Sequence, residues 1–246
     1  MSFIQRSAHI VPSTKEYDEL LAACQPVAWW KLDDPVGSPT IADSSGNGFT
    51  CTEEGPPITF GLPGPIAGGG TAASFPVGGG GQFAGAVTFT SSFTVTWWEQ
   101  ASTMPDNYTV AWAGESNAWG VYYQGPNGLY AQYTTIDTNT LRRTGSYVAG
   151  LPLDGEWHQL TFVFNMDSPG QSAALVSTDL FLDGEFSSSQ LTSYTTVLSG
   201  SYVPTPVVVG YSIAGATPAA AQAQLALFNY PLAPNTIAAL YKAARL

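Results

Sequence analysis

Short segments in which apolar and polar residues alternate constrain this chain more than any other feature. They recur through residues 26–230, for example in SFTVTWWEQ at 92–100 and TDLFLDGEF at 178–186, and glycine, proline and asparagine separate them. Alternation with a period of two places successive side chains on opposite faces of a β-strand. The Asp183-Gly184 pair is typical of a two-residue hairpin turn between antiparallel strands. The pattern therefore predicts one antiparallel, all-β domain.

The composition and the two ends of the chain complete this prediction. Charged residues make up 10% of the 246 residues, and glycine (26) and proline (18) are abundant, as expected of many short strands joined by turns. At the ends, the apolar spacing changes to that of short helices, in STKEYDELLAAC at 13–24 and APNTIAALYKAARL at 233–246. We expect residues 1–25 to form an arm and a short helix. Residues 26–246 are expected to form the β-domain, which ends in the second helix.

Charge, hydropathy and cysteine count argue against several classes of function. The formal net charge of -11 repels phosphate backbones and argues against nucleic-acid binding. No apolar stretch approaches the roughly 18 residues of a membrane span, so we expect no membrane insertion. The segment MSFIQRSAHIVPSTKEYDELL lacks the pattern of a signal peptide, which predicts synthesis in the cytoplasm without export. Cys24 and Cys51 are expected to be free thiols rather than a disulfide.

Seven segments in a fixed order resemble the LamG-like, or concanavalin A-like, jelly roll through residues 26–242. They are PVAWWKLDD, IADSSGNGFT, GGGTAASF, SFTVTWWEQ, DGEWHQLTFVFN, LFLDGE and LALFNYPLAPNTIAALY. The resemblance implies an antiparallel β-sandwich with a short helix at each end. This fold supports lectins, glycanases, adhesion modules and structural domains, so the fold by itself does not select a function.

The segment YDELLAACQPVAWWKLDD also resembles virion proteins of actinobacterial phages, often described as minor tail proteins. This resemblance implies a non-enzymatic virion surface protein, either a capsid decoration or a minor tail subunit. Its partners would be other capsid or tail proteins, including further copies of itself in a homo-oligomer. We expect attachment through the arm, by its apolar residues Phe3, Ile4, Ile10 and Val11. The alternative is a bacterial carbohydrate-binding module without a virion role.

Acidic residues do not form the pattern that glycanase activity requires. Retaining glycanases of this fold carry two glutamates and an aspartate at alternate positions of one strand, which places the nucleophile and the acid about 5–5.5 Å apart. No predicted strand has this arrangement. The acids of DGEW and DGEF fall in turns, and those of CTEEG are expected in a loop. The sequence therefore predicts a protein that is not an enzyme.

Aromatic residues suggest a surface for host glycans. If Phe93, Val95 and Trp97 face the core, Trp98 and Thr96 lie on the opposite face of the same strand. Aromatic rings on such a face offer flat platforms to sugar rings. Core packing is the favoured role for each of them taken singly, and contact with another virion subunit is a third role. The glycan-binding candidates are Trp98, Thr96, Trp112, Trp119, Tyr122 and Tyr130.

A structural calcium ion is the remaining cofactor to consider. The candidate ligands, around the DSSGNG loop, are Asp33, Asp34, Asp43 and Asn47. Calcium requires six to eight oxygen ligands. However, Pro76 and the segment AQAQ at 221–224 stand where the resemblance implies further acids. We therefore favour hydrogen bonds from Asp43 and Asn47 to the turn backbone, with calcium as the alternative, and expect no other cofactor.

Overall fold

Two antiparallel sheets packed face to face form the body of the protein, and a helix lies near each end of the chain. This confirms the predicted fold class. The computed structural model describes residues 14–67, 69–85, 87, 89, 91–113, 118–123, 128–137, 140–148, 151–166, 175–191, 194–198, 207–217 and 221–245. The arm residues Phe3, Ile4, Ile10 and Val11 lie outside the described residues. No helix in the described residues is long and apolar enough to cross a membrane.

The helices and strands follow the chain in this order. They are α1 (Thr14–Ala23), β1 (Ala28–Trp30), β2 (Thr40–Ile41), β3 (Cys51–Glu54), β4 (Thr59–Pro63), β5 (Thr71–Ser74), β6 (Gly80–Phe83), β7 (Phe93–Gln100), β8 (Asp106–Ala113), β9 (Ala118–Tyr123), β10 (Leu129–Asp137), β11 (Thr140–Val148), β12 (Trp157–Met166), β13 (Leu175–Leu182), β14 (Glu185–Leu191), β15 (Tyr194–Leu198), β16 (Val207–Thr217), β17 (Ala221–Phe228) and α2 (Pro234–Arg245).

The strands form an eight-stranded and a nine-stranded sheet. The eight-stranded sheet has the order β14-β13-β12-β7-β17-β5-β4, with β1 paired to β17. The nine-stranded sheet has the order β15-β11-β10-β9-β8-β16-β6-β3-β2. The segment CTEE was expected in a loop. That expectation is wrong, because it forms β3, which pairs with both β2 and β6.

Aromatic side chains from both sheets fill the space between them. Phe93 of β7 stacks on Phe164 of β12, with ring centroids 4.2 Å apart. From the facing sheet, Trp119 is fully buried and its indole N–H donates to the carbonyl of Val87. The alternation in β7 therefore identified the inward face correctly. Trp119 is a core residue, so its place among the glycan-binding candidates is wrong.

A second apolar cluster lies on the outer face of the eight-stranded sheet. Tyr17 and Leu21 of α1 and Ile237 and Leu240 of α2 are buried there, and the two helices contact each other. Because both faces of this sheet are covered, its central strand β17 is buried at all eight positions. Exposed surface that could bind a ligand therefore lies on the nine-stranded sheet and at the ends of the sandwich.

Candidate functional site

Trp98 and Thr96 lie beneath the two helices. Trp98 is 0% exposed, and its indole N–H donates to the hydroxyl of Tyr17 at 3.3 Å. Thr96 is also buried, and its hydroxyl lies 2.7 Å from that of Thr161 on the neighbouring strand. The prediction that this face of β7 is exposed is wrong, because α1 and α2 pack on it. Neither residue can offer a platform to a sugar.

Trp112, Tyr122 and Tyr130 lie together on the outer face of the nine-stranded sheet. They belong to the adjacent strands β8, β9 and β10, and all three are half-buried. The rings of Tyr122 and Tyr130 stack with centroids 5.6 Å apart and planes at 12°. Trp112 contacts Tyr122 edge to face at 5.9 Å. These three of the six predicted residues form one surface, which we call the aromatic row.

Backbone pairing explains how the aromatic row is held in place. Gly120 of β9 pairs with Trp112 of β8, and a Cβ atom on Gly120 would lie 2.1 Å from Cε3 of the indole. The indole therefore lies directly over Gly120, and only glycine leaves room for it. On the same strand as Gly120, Tyr122 donates its hydroxyl hydrogen to the side-chain carbonyl of Gln132 on β10 at 2.8 Å. The rings are thus oriented before any ligand arrives.

A cavity lies on the same face of the sheet, beyond Trp112. It has a volume of about 250 Å³ and is lined by Glu54, Gly55, Gly78, Gln82, Val208 and Tyr211. Val208 pairs with Trp112 on one side and with Gln82 on the other, so the cavity adjoins the aromatic row. Tyr211 is 36% exposed there. An amide, a carboxylate and a phenol ring therefore lie beside the row.

The Asp43 carboxylate organises the DSSGNG loop through hydrogen bonds. One oxygen accepts from the backbone N–H groups of Trp29 (3.1 Å) and Ser45 (2.9 Å). The other accepts from the Ser45 hydroxyl (2.8 Å) and the Phe49 N–H (2.9 Å). Burial opposes ionisation of Asp43, but these donors outweigh burial and hold its pKa below the ordinary value. The predicted hydrogen bonds from Asp43 to the turn backbone are present.

The other calcium candidates are dispersed around this loop. Asn47 donates to the carbonyls of Val27 and Pro26, which precede β1, rather than to the backbone of its own turn as predicted. Asp33 is exposed, and Asp34 accepts from the N–H of Ala42. In the described residues, no group of three or more histidines, cysteines, aspartates and glutamates is arranged to hold a metal ion. The calcium hypothesis therefore has no support from an acidic cluster in this part of the chain.

Gln222 and Gln224 occupy the segment where the resemblance implied acids, and both are buried. Gln224 accepts from the indole N–H of Trp29 at 2.9 Å. The amide of Gln222 donates to the Glu99 carboxylate at 3.0 Å and accepts from the hydroxyl of Tyr108 at 2.8 Å. The Gln222 amide therefore takes part in hydrogen bonds between the two sheets, and the Gln224 amide bonds Trp29 on the helix-covered face.

Glu99 is a buried carboxylate that the sequence reasoning missed. It lies near the end of β7, with its side chain facing the core. Its carboxylate accepts hydrogen bonds from the hydroxyl of Tyr123 at 2.5 Å and from the indole of Trp97 at 3.2 Å. Burial raises the pKa of Glu99, and the donors from Tyr123, Gln222 and Trp97 offset only part of that effect. The sequence did contain a signal for its burial, because Glu99 continues the inward-facing series Phe93, Val95 and Trp97.

Both cysteines carry free thiols. Cys24 is half-buried at the end of α1, and Cys51 is buried in β3. Burial raises the pKa of the Cys51 thiol to about 12, and the nearby carboxylates of Asp43 and Asp34 act in the same direction. Because the thiolate is the reactive and metal-binding form, the raised pKa disfavours reaction of Cys51. It acts as a packed apolar residue.

Solved structures with this arrangement of sheets bind ligands of several kinds. Domain 4 of AbnA, an extracellular GH43 arabinanase from Geobacillus stearothermophilus, was solved in complex with arabinotriose. It has a TM-score of 0.61 and 15% identity, and the match covers 88% of this chain and 98% of that one. The chain therefore shares the antiparallel β-sandwich fold of that domain. No protein-family model and no curated protein matches it.

Two toxin domains share this fold. The ligand-binding domain of botulinum neurotoxin serotype D, solved with N-acetylneuraminic acid, gives a TM-score of 0.56 at 11% identity over 92% of this chain and 53% of that one. The binding domain of Paraclostridial Mosquitocidal Protein 1 gives 0.55 at 13% identity over 89% and 52%. The present chain thus spans about half of each toxin domain. At these identities the likeness concerns the fold alone.

Proposed function

We propose that this chain is a non-enzymatic carbohydrate-binding domain and that the aromatic row is its binding surface. One observation carries the proposal: Trp112, Tyr122 and Tyr130 form a continuous, half-exposed set of rings on three adjacent strands. Large aromatics in a sandwich normally complete the core. These three point away from the core and contact one another instead.

The chemistry of this face suits a sugar. The apolar face of a sugar ring can pack on an aromatic ring, while amide and hydroxyl groups beside it fix the orientation. Gln82 and Tyr211 offer such groups in the adjoining cavity. Rigid strands hold the rings more precisely than loops would. The ligands of the AbnA domain and of the serotype D domain support carbohydrate as the ligand class.

In the described residues, the carboxylates near the row do not form the pair that retaining glycoside hydrolysis requires. A retaining glycosidase needs two carboxyl groups about 5–5.5 Å apart on either side of the scissile bond. Of the described residues that line the cavity beside the row, Glu54 alone carries a carboxylate. Glu99 is sealed between the sheets and bonded to Tyr123 and Gln222. We therefore assign recognition and no catalysis to the chain.

Three variants test the aromatic row on an array of neutral and acidic glycans, followed by calorimetry on the best ligand. Trp112→Ala and Tyr122→Ala remove one ring each and are expected to weaken binding at least about tenfold, or about 1.4 kcal/mol. Gly120→Ala keeps every ring but pushes the indole of Trp112 from its position. It is expected to weaken binding as well. Because no ring is lost in this variant, a weaker affinity would show that the position of the indole matters.

Phe186→Ala is the matched control, because Phe186 is a 59% exposed aromatic residue of β14 on the other sheet. It should bind like the wild type. If all three row variants retain full affinity while folded, the row is not the binding surface. Failure of the wild-type protein to bind any glycan on the array would reject carbohydrate recognition itself.

The biological setting of the domain is a further part of the proposal. The resemblance of residues 17–34 to phage proteins supports a virion surface protein, as a decoration or minor tail subunit. Residues 1–12 would attach it to other virion subunits, and the row would then face host glycans. A bacterial carbohydrate-binding module is the alternative setting for the same surface. Gene neighbours that encode capsid or tail proteins would favour the virion.

A further inference from the structure

A cleft at one end of the sandwich lies apart from the aromatic row. Its volume is about 730 Å³, within the range of about 300–1,000 Å³ that is usual for ligand pockets. The end of α1, the start of β1, the DSSGNG loop and the turn after β17 form its walls. The lining residues are Ala22, Gln25, Pro26, Val27, Trp29, Ser44, Ser45, Asn47, Phe49 and Asn229. None of them belongs to the row or to the cavity beside it.

The lining is polar but uncharged. Gln25, Ser44 and Asn229 are exposed, and their side chains form no hydrogen bond with any described residue. Two amides and a hydroxyl are thus left to bind something else, with Phe49 and Val27 providing apolar surface beside them. The nearest carboxylate, that of Asp43, already accepts four hydrogen bonds. Lys31, whose ammonium lies 4.6 Å from the centre of the Trp29 ring, is paired with Asp18 at 2.7 Å. None of the lining residues therefore offers a charge to a charged ligand.

Hydrogen bonds hold the walls of the cleft in position. The Asn47 amide donates to the carbonyl of Val27 at 2.9 Å, and the Ser45 hydroxyl donates to the same carbonyl at 3.1 Å. On the opposite wall, the hydroxyl of Tyr230 donates to the carbonyl of Cys24 at the end of α1. The loop, the strand and the helix end are therefore tied together. A preformed cleft loses less conformational freedom on binding.

Gln25 adds an independent observation. It follows α1 with a φ of 52°, in the left-handed region where glycine is favoured at the end of a helix. Any residue other than glycine at this position, including the glutamine found here, lowers the stability of the fold. The Gln25 side chain instead places an amide in the lining of the cleft.

We propose that this cleft is a second binding site, for an uncharged and hydroxyl-rich ligand such as a unit of a neutral oligosaccharide. Gln25, Ser44 and Asn229 would supply its hydrogen-bond donors and acceptors, and Phe49 the apolar contact. The net charge of -11 acts in the same direction, because it disfavours acidic sugars. The site does not depend on the aromatic row.

Titration of ¹⁵N-labelled protein with cellotriose and arabinotriose tests the site, with trigalacturonate as the acidic counterpart. The neutral sugars are expected to shift the amide signals of Ser44, Ser45 and Asn47, and trigalacturonate is not. The same shifts should appear in Trp112→Ala, which separates the cleft from the aromatic row. Shifts confined to β8, β9 and β10 would overturn the cleft and leave the proposed function intact. Absence of any shift with both neutral sugars would also overturn it.

Two substitutions of Gln25 sharpen the test. Gln25→Gly relieves the left-handed backbone and should raise Tm by about 2–4 °C, while weakening binding at the cleft at least about tenfold. Gln25→Ala should weaken binding equally without raising Tm. Asn235→Ala, at an exposed position on α2, is the control and should change neither. Wild-type affinity in Gln25→Gly would show that the amide contacts no ligand and would overturn the assignment.

Discussion

The indole of Trp98 stacks on the phenol ring of Tyr241, with centroids 5.7 Å apart and planes at 16°. From the other side, Tyr17 of α1 accepts the indole hydrogen bond. The guanidinium of Arg245 lies 5.3 Å from the centre of the Trp98 ring and donates to the carbonyl of Trp157 at 2.6 Å. One side chain of β7 therefore connects both helices to the eight-stranded sheet. The helices are part of the packed fold, not appendages to it.

Trp98→Ala is therefore expected to destabilise the protein by about 3–5 kcal/mol, the usual cost of removing a fully buried large aromatic residue. Urea denaturation followed by circular dichroism measures this loss. Below the unfolding transition, glycan binding should match that of the wild type, because Trp98 faces α1 and α2.

Val36→Ala provides the reference for an exposed apolar residue. Val36 is 82% exposed, and its truncation should change the free energy of unfolding by no more than about 0.5 kcal/mol. Equal losses for Trp98→Ala and Val36→Ala would contradict the contacts described for the helices. Loss of glycan binding in folded Trp98→Ala would place a ligand on the helix-covered face.

Alternation in the sequence identified the faces of β7 but not their exposure. Phe93, Val95 and Trp97 are all inward, as the period of two predicted. The same pattern assigns Trp98 to the opposite face, yet it carries no information about what packs on that face. The covering depends on α1 and α2, which lie far from β7 in the sequence. Exposure of Trp98 was therefore predicted wrongly from a correct assignment of faces.

The aromatic row shows a different limit of sequence reasoning. Trp112, Tyr122 and Tyr130 were expected to share a surface because they fall in neighbouring strands, but Trp119 was grouped with them. Trp119 and Tyr122 are three residues apart in β9, so the period of two already places them on opposite faces. The register between β8 and β9 shifts between Thr109 and Ala111, so the face of Trp112 cannot be counted along β8 from the sequence. The space that Gly120 leaves for an indole becomes visible only once the pairing is known.

Removal of calcium is expected to leave Tm unchanged. Both oxygens of Asp43 already accept hydrogen bonds from protein donors, so the fold of the loop does not need a metal ion. Calorimetry with and without EDTA is the measurement. A loss of 1 kcal/mol would lower Tm by about 2–4 °C in a domain of this size. A drop of more than about 10 °C in EDTA would restore the calcium hypothesis.

Asp43→Ala complements the chelation experiment. It leaves the N–H groups of Trp29, Ser45 and Phe49 without their acceptor, and we expect a loss of about 1–3 kcal/mol. Because the pKa of Asp43 is lowered by folding, its contribution is present above the ordinary aspartate value and is lost as pH falls through the lowered pKa. The difference between wild type and Asp43→Ala should therefore shrink in acid. A constant difference would contradict this assignment.

If the chain is a virion subunit, as proposed, deletion of residues 2–12 should leave a monodisperse, β-rich domain that no longer joins the particle. The segment contains Phe3, Ile4, Ile10 and Val11 and precedes the jelly-roll resemblance. Segments that become ordered on assembly can wrap a partner at the cost of conformational entropy. Size-exclusion chromatography, circular dichroism and a particle-binding assay make the comparison. An unfolded product would assign the segment to the core of the domain, and normal assembly would remove its anchoring role.

The buried Glu99 carboxylate is expected to make stability depend on pH. Because burial raises its pKa in the folded state, the folded protein retains this proton to a higher pH than the unfolded chain. The contribution of Glu99 to stability is therefore complete below the ordinary glutamate pKa and decreases as pH rises through the raised value. Glu99→Gln carries no charge to desolvate. Urea titrations at a series of pH values measure the free energy of unfolding of both proteins. The value for Glu99→Gln should exceed that of the wild type by a margin that grows as pH rises through this interval.

Tyr123→Phe is the matched variant for this experiment. It retains the ring but removes the hydroxyl that donates to Glu99 at 2.5 Å. Loss of that donor raises the pKa of Glu99 further, so the fall in stability should extend to a higher pH than in the wild type. In the double variant Glu99→Gln with Tyr123→Phe, this part of the pH dependence should vanish. If Glu99→Gln and the wild type give parallel profiles, Glu99 ionises equally in the folded and unfolded states, and the carboxylate is not enclosed by Tyr123, Gln222 and Trp97.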